Sequence, residues 1–188
     1  NSLYPSIIVQ NNMSPETIIN GKVANVSVDT LLSESVKPKL EANECASASG
    51  QYFKTDQQGI LPKIISEMYA ERVIVKRAMI NGQKQLEKVD KKDKTELYRI
   101  QRDISIAENQ QMSIKLLLNS LYGALGNKYF RFFDQRIAEA ITLQGQLTIR
   151  WAEKAINDEL QKVLKNKKDY VVAIDTDSVY VVLDDLVK

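Results

Sequence analysis

The chain has 188 residues, 44% hydrophobic and 27% charged, with a formal net charge of +2; this allows one domain with a sizeable core and fits a soluble globular protein. There is no histidine and one cysteine, Cys45, which excludes Ser-His triads, histidine general bases, His-ligated zinc and an internal disulfide. Any catalysis must therefore use carboxylates, lysines, arginines, tyrosines or an oxygen-held metal, and so small a net charge does not by itself announce nucleic acid.

No apolar run approaches about 18 residues, so no membrane span is expected. The opening NSLYPSII has neither an initiator Met nor the basic and apolar regions of a signal peptide, and reads as a cut through a longer chain. Its Leu-Tyr-Pro predicts a turn followed by an apolar stretch. In SPET, Ser14 and Pro15 predict a helix start or turn, with Ser14 as N-cap and Pro15 at the first position. From Gly21 to Gly59 the pattern is weak and polar, consistent with short strands and loops, and with a hairpin around QYFKTDQQGI.

From Pro62 to about Glu87, Ile64, Ile65, Met68, Val75 and Met79 recur at helical spacing. KVDKKDK, residues 88–94, is turn-like. A second helix is expected from Leu97 to about Leu125, with Ile114, Leu117, Leu118, Leu121 and Leu125 on one face. The two predict an antiparallel αα-hairpin. A third helix should start near Asp134 as N-cap and run to about Leu164 through Ile137, Ile141, Trp151, Ala155 and Leu160. KNKKD breaks it, and YVVAI-DTDS-VYVVL then reads as strand, tight turn, strand.

Three constellations could carry chemistry. Arg72 and Lys76 share one helix face, as do Lys115 and Asn119 on the returning helix. Facing positions of an antiparallel hairpin have a constant index sum. Arg72 with Asn119 and Lys76 with Lys115 both give 191, which places the turn near position 95. If the two faces converge, three cations and an amide form a patch suited to a triphosphate; the alternative is a pair of solvated charged faces. In KLLLNSLYGALGN, Lys115, Asn119 and Tyr122 form a polar stripe opposite the leucines, and Gly123 and Gly126 remove side chains beside it. Each helical glycine costs roughly 1 kcal/mol against alanine. A close neighbour such as a base pair would explain them, and so would a capped helix end. Finally, Asp175 and Asp177 stand at i and i+2, on one side of a strand. At about 6 Å they would repel by roughly 2–3 kcal/mol at an effective dielectric near 20. A divalent cation such as Mg²⁺ offsets that repulsion; the alternative is a solvated hairpin tip.

NSLYPSII with NMSPET, KLLLNSLYGALGN and DTDSVYV, in this order, closely resemble three motifs of family B DNA polymerases, in the form found in T-even-like tailed phages. The resemblance extends over almost the whole chain, weakest at 23–50 and 81–103. It implies an α+β fold, a partial palm (an antiparallel sheet with packed helices) bearing a long two-helix fingers hairpin. Residues 1–61 and 128–188 would be palm and 62–127 fingers. It implies Asp175 and Asp177 as catalytic ligands of two Mg²⁺ ions. It implies Ser2 and Leu3 backbone amides at the triphosphate, with Tyr4 under the sugar to reject a 2′-OH. Arg72, Lys76, Lys115 and Asn119 would contact the triphosphate, and Tyr122 and Gly123 the nascent base pair. Primer-template DNA and dNTP are the implied partners, with exonuclease and thumb domains, a sliding clamp, no membrane, and the cytoplasm of an infected bacterial host.

Two departures stand out. The first motif of the family opens with an aspartate two residues upstream of Asn1, and where the family usually has a Tyr-Gly pair before Asp-Thr-Asp this chain has Ala173-Ile174. The chain alone is therefore expected to be inactive. The alternative is a non-catalytic, nucleic-acid-binding part of a split or degenerate polymerase.

Overall fold

The computed structural model describes residues 3–186; Asn1 and Ser2, and with Ser2 one of the expected triphosphate contacts, lie outside the described residues. Helix α1 spans Leu3–Gln10, followed by β1 Ile18–Lys22, α2 Val28–Leu32, β2 Glu44–Ala46 and β3 Gln51–Lys54. Then come α3 Ile60–Leu86, α4 Lys94–Leu125, α5 Gln135–Leu164, β4 Val171–Asp175 and β5 Ser178–Val181. The class is α+β, with two antiparallel sheets, β1-β3-β2 and β4-β5.

Leu-Tyr-Pro is not a turn but the first turn of α1. Pro5 is the third helical residue, where its missing N–H costs nothing because the first amides of a helix have no intrahelical acceptor. Nor does QYFKTDQQGI fold on itself. Its QYFK is β3, paired back to β2 through the tight turn 47–50, and its end leads into α3. Gly50 sits in that turn at φ +80°, with Val23 O where a Cβ would stand, so only glycine fits.

The SPET segment forms a turn rather than a helix, and it caps a helix distant in sequence. Gly59, the N-cap of α3, has no side chain to offer. Instead Glu16 accepts from the Ile60 amide and Ser14 Oγ from the Leu61 amide at 3.3 Å. Asn12 completes the joint. Its Nδ2 donates to the carbonyls of Lys54 (2.6 Å) and Gln57 (2.7 Å), and its Oδ1 accepts from the Gly59 amide at 2.8 Å. Asn12 is buried and at φ +49°, a region Asn tolerates. Asn12→Ala strands the buried Gly59 amide and two part-buried carbonyls and is expected to lower stability by about 1–3 kcal/mol, checked by urea unfolding; a loss below about 0.5 kcal/mol would show that water replaces the amide.

The core unites Ile7, Ile8 and Met13 with Phe53, Leu61, Ile65, Ile114, Leu118, Leu125, Ile137, Ala140 and Ile141. It lies at the base of the α3–α4 hairpin, so most of that hairpin stands in solvent. Of the expected stripes, Ile65, Ile114, Leu118 and Leu125 are buried, while Ile64, Leu117 and Trp151 are exposed. Away from α1 and α5 the two hairpin helices have only each other to bury against, as at Ile100. The connection occupies 87–93 instead of centring on 95, because α4 starts at Lys94, with Asp93 Oδ1 accepting from Glu96 N at 3.0 Å.

Helix α5 starts where its cap predicts, with Asp134 Oδ1 accepting from Arg136 N at 2.9 Å. The hydrogen bonds from the Arg136 guanidinium, foremost, hold the Asp134 carboxyl below its ordinary range. The β4-β5 hairpin is tied to α5 through Asn157, whose Oδ1 accepts from the amides of Tyr170 (2.8 Å) and Val171 (3.1 Å). Tyr170 is fully buried.

Candidate nucleotide-binding cleft

A cleft of about 750 Å³ opens between the α3–α4 hairpin, the start of α1 and the tip of the β4-β5 hairpin. Leu3, Tyr4 and Pro5 line it from α1, Tyr69, Arg72, Val73 and Lys76 from α3, Lys115, Asn119 and Tyr122 from α4, and Thr176 and Asp177 from the hairpin tip. Residues far apart in sequence thus meet in one concavity, of a size that suits a small ligand. Of the expected site residues, Leu3, Tyr4, Arg72, Lys76, Lys115, Asn119, Tyr122 and Asp177 line it; Gly123 and Asp175 do not, and Ser2 lies outside the described residues.

Helical periodicity explains the α3 wall. Positions 69, 72, 73 and 76 recur at three- and four-residue steps and form one face. The α4 wall, 115, 119 and 122, repeats the pattern. The register between the helices differs from the index-sum expectation. Gly82 packs on Ile104 and Gln110 Nε2 donates to Glu71 Oε1 at 3.3 Å, pairs whose sums are 186 and 181. Arg72 is therefore level with positions 109–114 rather than opposite Asn119. The long side chains of Arg72, Lys76 and Lys115 still reach one space.

Among the described residues none of these three cations has a carboxylate within ion-pair distance, although eight ion pairs form elsewhere. Arg72 Nε is buried without a hydrogen-bond partner. A buried charge-bearing donor left open is costly, and an anion in the cleft would satisfy it.

Tyr4 and Tyr122 form the floor, with ring centroids 4.8 Å apart and planes tilted by 39°. Burial, foremost, and then Tyr122 and the Asp177 carboxylate push the Tyr4 phenol above its ordinary value. Tyr4 is thus a neutral hydroxyl at any working pH, within electrostatic reach of Asp177. Behind it stands Gly145 of α5. A Cβ there would come within 3.0 Å of Tyr4 Cε1, so the bare helix surface sets how deep the ring lies. Sequence reasoning missed Gly145 and Tyr69. A glycine midway along a 30-residue helix and a tyrosine on the Arg72 face were the available signals.

Asp175 ends β4, paired with Ser178 across the turn, and accepts from Thr176 Oγ1 at 3.0 Å. Thr176 is at φ +46°. The i, i+2 rule of strands does not govern this pair, because Asp177 belongs to the turn. The hairpin keeps its pairing through Ala173 and Ile174, with the irregularity between Val171 and Ala173. Gly123 lies inside α4 with open space beside it, and Gly126 caps the helix in right-handed geometry. The open space leaves room for a ligand and the capping does not need Gly126's freedom. Asp175 and Asp177 offer only oxygen, and Cys45 is turned away, donating to Asn11 O at 3.1 Å with its thiol pushed up by burial. Among the described residues no three Asp, Glu, Cys or His side chains gather as a metal cluster.

Fold and cleft together define an α+β module whose helical hairpin presents cations to a carboxylate-bearing β-turn. Residues 1–185 match the family model of DNA polymerase family B, and the chain belongs to that family. It is 33% identical over 223 aligned positions to the DNA-directed DNA polymerase of Enterobacteria phage T4, covering 100% of this chain and 25% of that protein. To the DNA-directed DNA polymerase of Escherichia phage RB69 it is also 33% identical over 223 positions, covering 99% of this chain and 24% of that protein. Since 188 residues cannot fill 223 positions, both relatives carry segments within the matched span that this chain lacks. The family B DNA polymerase of Pyrobaculum calidifontis has the same fold over 95% of this chain and 19% of its own, at a TM-score of 0.51 and 21% identity. The chain thus spans about a quarter of the length of the phage relatives. Among the described residues no helix is long and apolar enough to cross a membrane.

Proposed function

We propose that this chain supplies the nucleotide-binding and catalytic carboxylate parts of a template-directed DNA polymerase, which joins a dNTP to a primer 3′-OH with loss of pyrophosphate. The observation that carries this reading is the cleft in which Arg72, Lys76 and Lys115, unpaired among the described residues, face Asp177. Helices α3 and α4 act as fingers; the segments before and after them act as palm. Lys76, Lys115, Arg72 and Asn119 hold the β- and γ-phosphates and stabilise the charge that grows on pyrophosphate as it leaves. The amide of Leu3, at the start of α1 where no intrahelical acceptor exists, adds a donor to the same phosphates, and the resemblance assigns the Ser2 amide the same role. Tyr122 and Gly123 border the nascent base pair.

Asp175 and Asp177 would hold Mg²⁺, two ions in the complete site. Two carboxylates with substrate phosphates and water suit this hard cation, which seldom uses an all-protein cage. When bound, such ions would stabilise the negative charge on the attacking and leaving oxygens of an in-line displacement. Primer-template DNA, exonuclease and thumb domains, a sliding clamp and the cytoplasm of an infected bacterium complete the setting, as the similarity to phage polymerases supports.

The test is primer extension by the polymerase that carries this segment, run with dNTPs and with ribonucleotides. Mg²⁺-dependent, template-directed dNTP incorporation is expected; its absence refutes the reading. Tyr4, held between Gly145 and Tyr122, occupies the floor on which the sugar would lie. Tyr4→Ala is expected to raise ribonucleotide use relative to dNTP by about 10- to 200-fold, the range for a steric contact in a pocket. Unaltered discrimination would remove the steric role from Tyr4.

A further inference from the structure

The side of α5 that meets the core carries Ile137, Ala140 and Ile141. One helical turn further on, where the next side chain of that row would stand, is Gly145. It is buried, and it is not among the glycines at positive φ, so the backbone does not call for glycine there. What calls for it is α1. A Cβ on residue 145 would come within 3.0 Å of Tyr4 Cε1, closer than ordinary van der Waals contact, and within 3.7 Å of Ile7 Cδ1 and Leu3 Cδ2. The Tyr4 ring thus rests on the one bare place in the row. Across the ring stands Tyr122, with centroids 4.8 Å apart and planes tilted by 39°. Leu3 and Ile7 flank the contact, and the cleft of about 750 Å³ is its open side.

We infer that Gly145 is a positioning residue for sugar selection: its empty place on α5 lets the Tyr4 ring lie deep, and the depth of that ring sets the clearance beneath the 2′ carbon of a bound nucleotide. This role rests on the proposed function, in which the sugar lies on Tyr4, and adds to it a residue that does not itself line the cleft. Packing decides the direction of the effect. Protein interiors are packed as densely as organic crystals, so a ring displaced by an added methyl group moves toward empty space. Behind Tyr4 is α5, and beside the contact are Leu3 and Ile7; the empty space is the cleft. A side chain at position 145 therefore raises the floor by a few tenths of an ångström. A dNTP, with only hydrogen on its 2′ carbon, tolerates the higher floor better than a ribonucleotide, whose 2′ oxygen would meet the ring first. The added methyl group thus closes the site further to ribonucleotides than to dNTPs, and glycine leaves the floor low enough for the dNTP.

The experiment compares four forms of the polymerase that carries this segment: the parent, Gly145→Ala, Tyr4→Ala and the double variant. On one primed template, kcat/KM is measured for a dNTP and for the matching ribonucleotide. Alanine forms helix better than glycine, so the substitution does not weaken α5 itself. Gly145→Ala is expected to raise discrimination against the ribonucleotide by about 3- to 10-fold, below the roughly 10- to 200-fold of a whole methylene in a pocket, because the ring shifts by less than that. In the Tyr4→Ala background the same substitution is expected to leave discrimination within about twofold, since no ring remains to transmit the push. Unchanged or lowered discrimination in Gly145→Ala would overturn the inference. So would an equal rise in both backgrounds, which would mean that the methyl group acts through Leu3 or Ile7. Unfolding curves of the four proteins keep the result readable if Gly145→Ala folds poorly. A destabilisation by Gly145→Ala that shrinks in the Tyr4→Ala background supports the Tyr4 contact; one that is undiminished there overturns it. Absence of dNTP incorporation by the parent counts against the proposed function alone. Incorporation by the parent with discrimination unaltered in Gly145→Ala counts against the role of Gly145 alone.

Discussion

Asp177→Asn is expected to cut primer extension by about three orders of magnitude or more, the cost of removing several kcal/mol of charge stabilisation from the transition state. Asp177 lines the cleft, faces the cationic wall of α3 and α4, and is close enough to Tyr4 to raise its phenol's pKa. The amide keeps the volume and removes only the charge. Because Asp177 is exposed, at the tip of a hairpin anchored elsewhere by Tyr170 and Asn157, the fold should be unaffected. Single-turnover extension on a primed template, beside a thermal unfolding curve, checks this. Extension at the parent rate would show that the charge at this position is not used, and with it the role assigned to the hairpin tip would fall. No group of three metal-binding side chains exists among the described residues to take its place.

Lys115→Ala should instead act on the nucleotide. Its ammonium shares the cleft with Arg72 and Lys76 and is without a carboxylate partner among the described residues. A charge-assisted contact to phosphate is worth about 1.5–3 kcal/mol, so kcat/KM for dNTP is expected to fall by about 10- to 150-fold. The same change relieves repulsion among three like charges. Thermal stability in the absence of nucleotide should therefore be unchanged or slightly higher, as expected where function is built at the expense of stability. Raising salt should narrow the gap between parent and variant, since an open cleft is screened. Steady-state kinetics against dNTP at two salt concentrations tests it. An unchanged kcat/KM would mean that Lys115 is a solvated surface charge.

Asn12 and Gly145 differ in how much of their role is local to the sequence around them. In SPET a helix start or turn was expected, with Ser14 as the cap, and the turn is what forms. The caps are used, but for α3, because the chain returns past Asn12 and Glu16 after a three-stranded sheet. Local pattern identifies a capping group; it does not say which helix will reach it. Gly145 carried the opposite lesson. Its cost in helix propensity was legible, but its reason, the closeness of Tyr4, depends on how α1 crosses α5.

By itself, the sequence determined the three long helices to within a few residues, the terminal hairpin, the exclusion of histidine chemistry, and the motif order that resembles family B polymerases. These rest on periodicity, caps and composition, which act over a few residues at a time. Tertiary structure alone decided the rest. It drew α1, α3, α4 and the Asp-Thr-Asp turn around one cleft, set the hairpin register below the expected index sum, and left Asp175 outside the lining while Asp177 entered it. It also turned three of the four rings of NKYFRFFD to solvent. Those outcomes depend on which faces find apolar partners. The core reaches only the base of the α3–α4 hairpin, so the polar face above it stays open to a ligand.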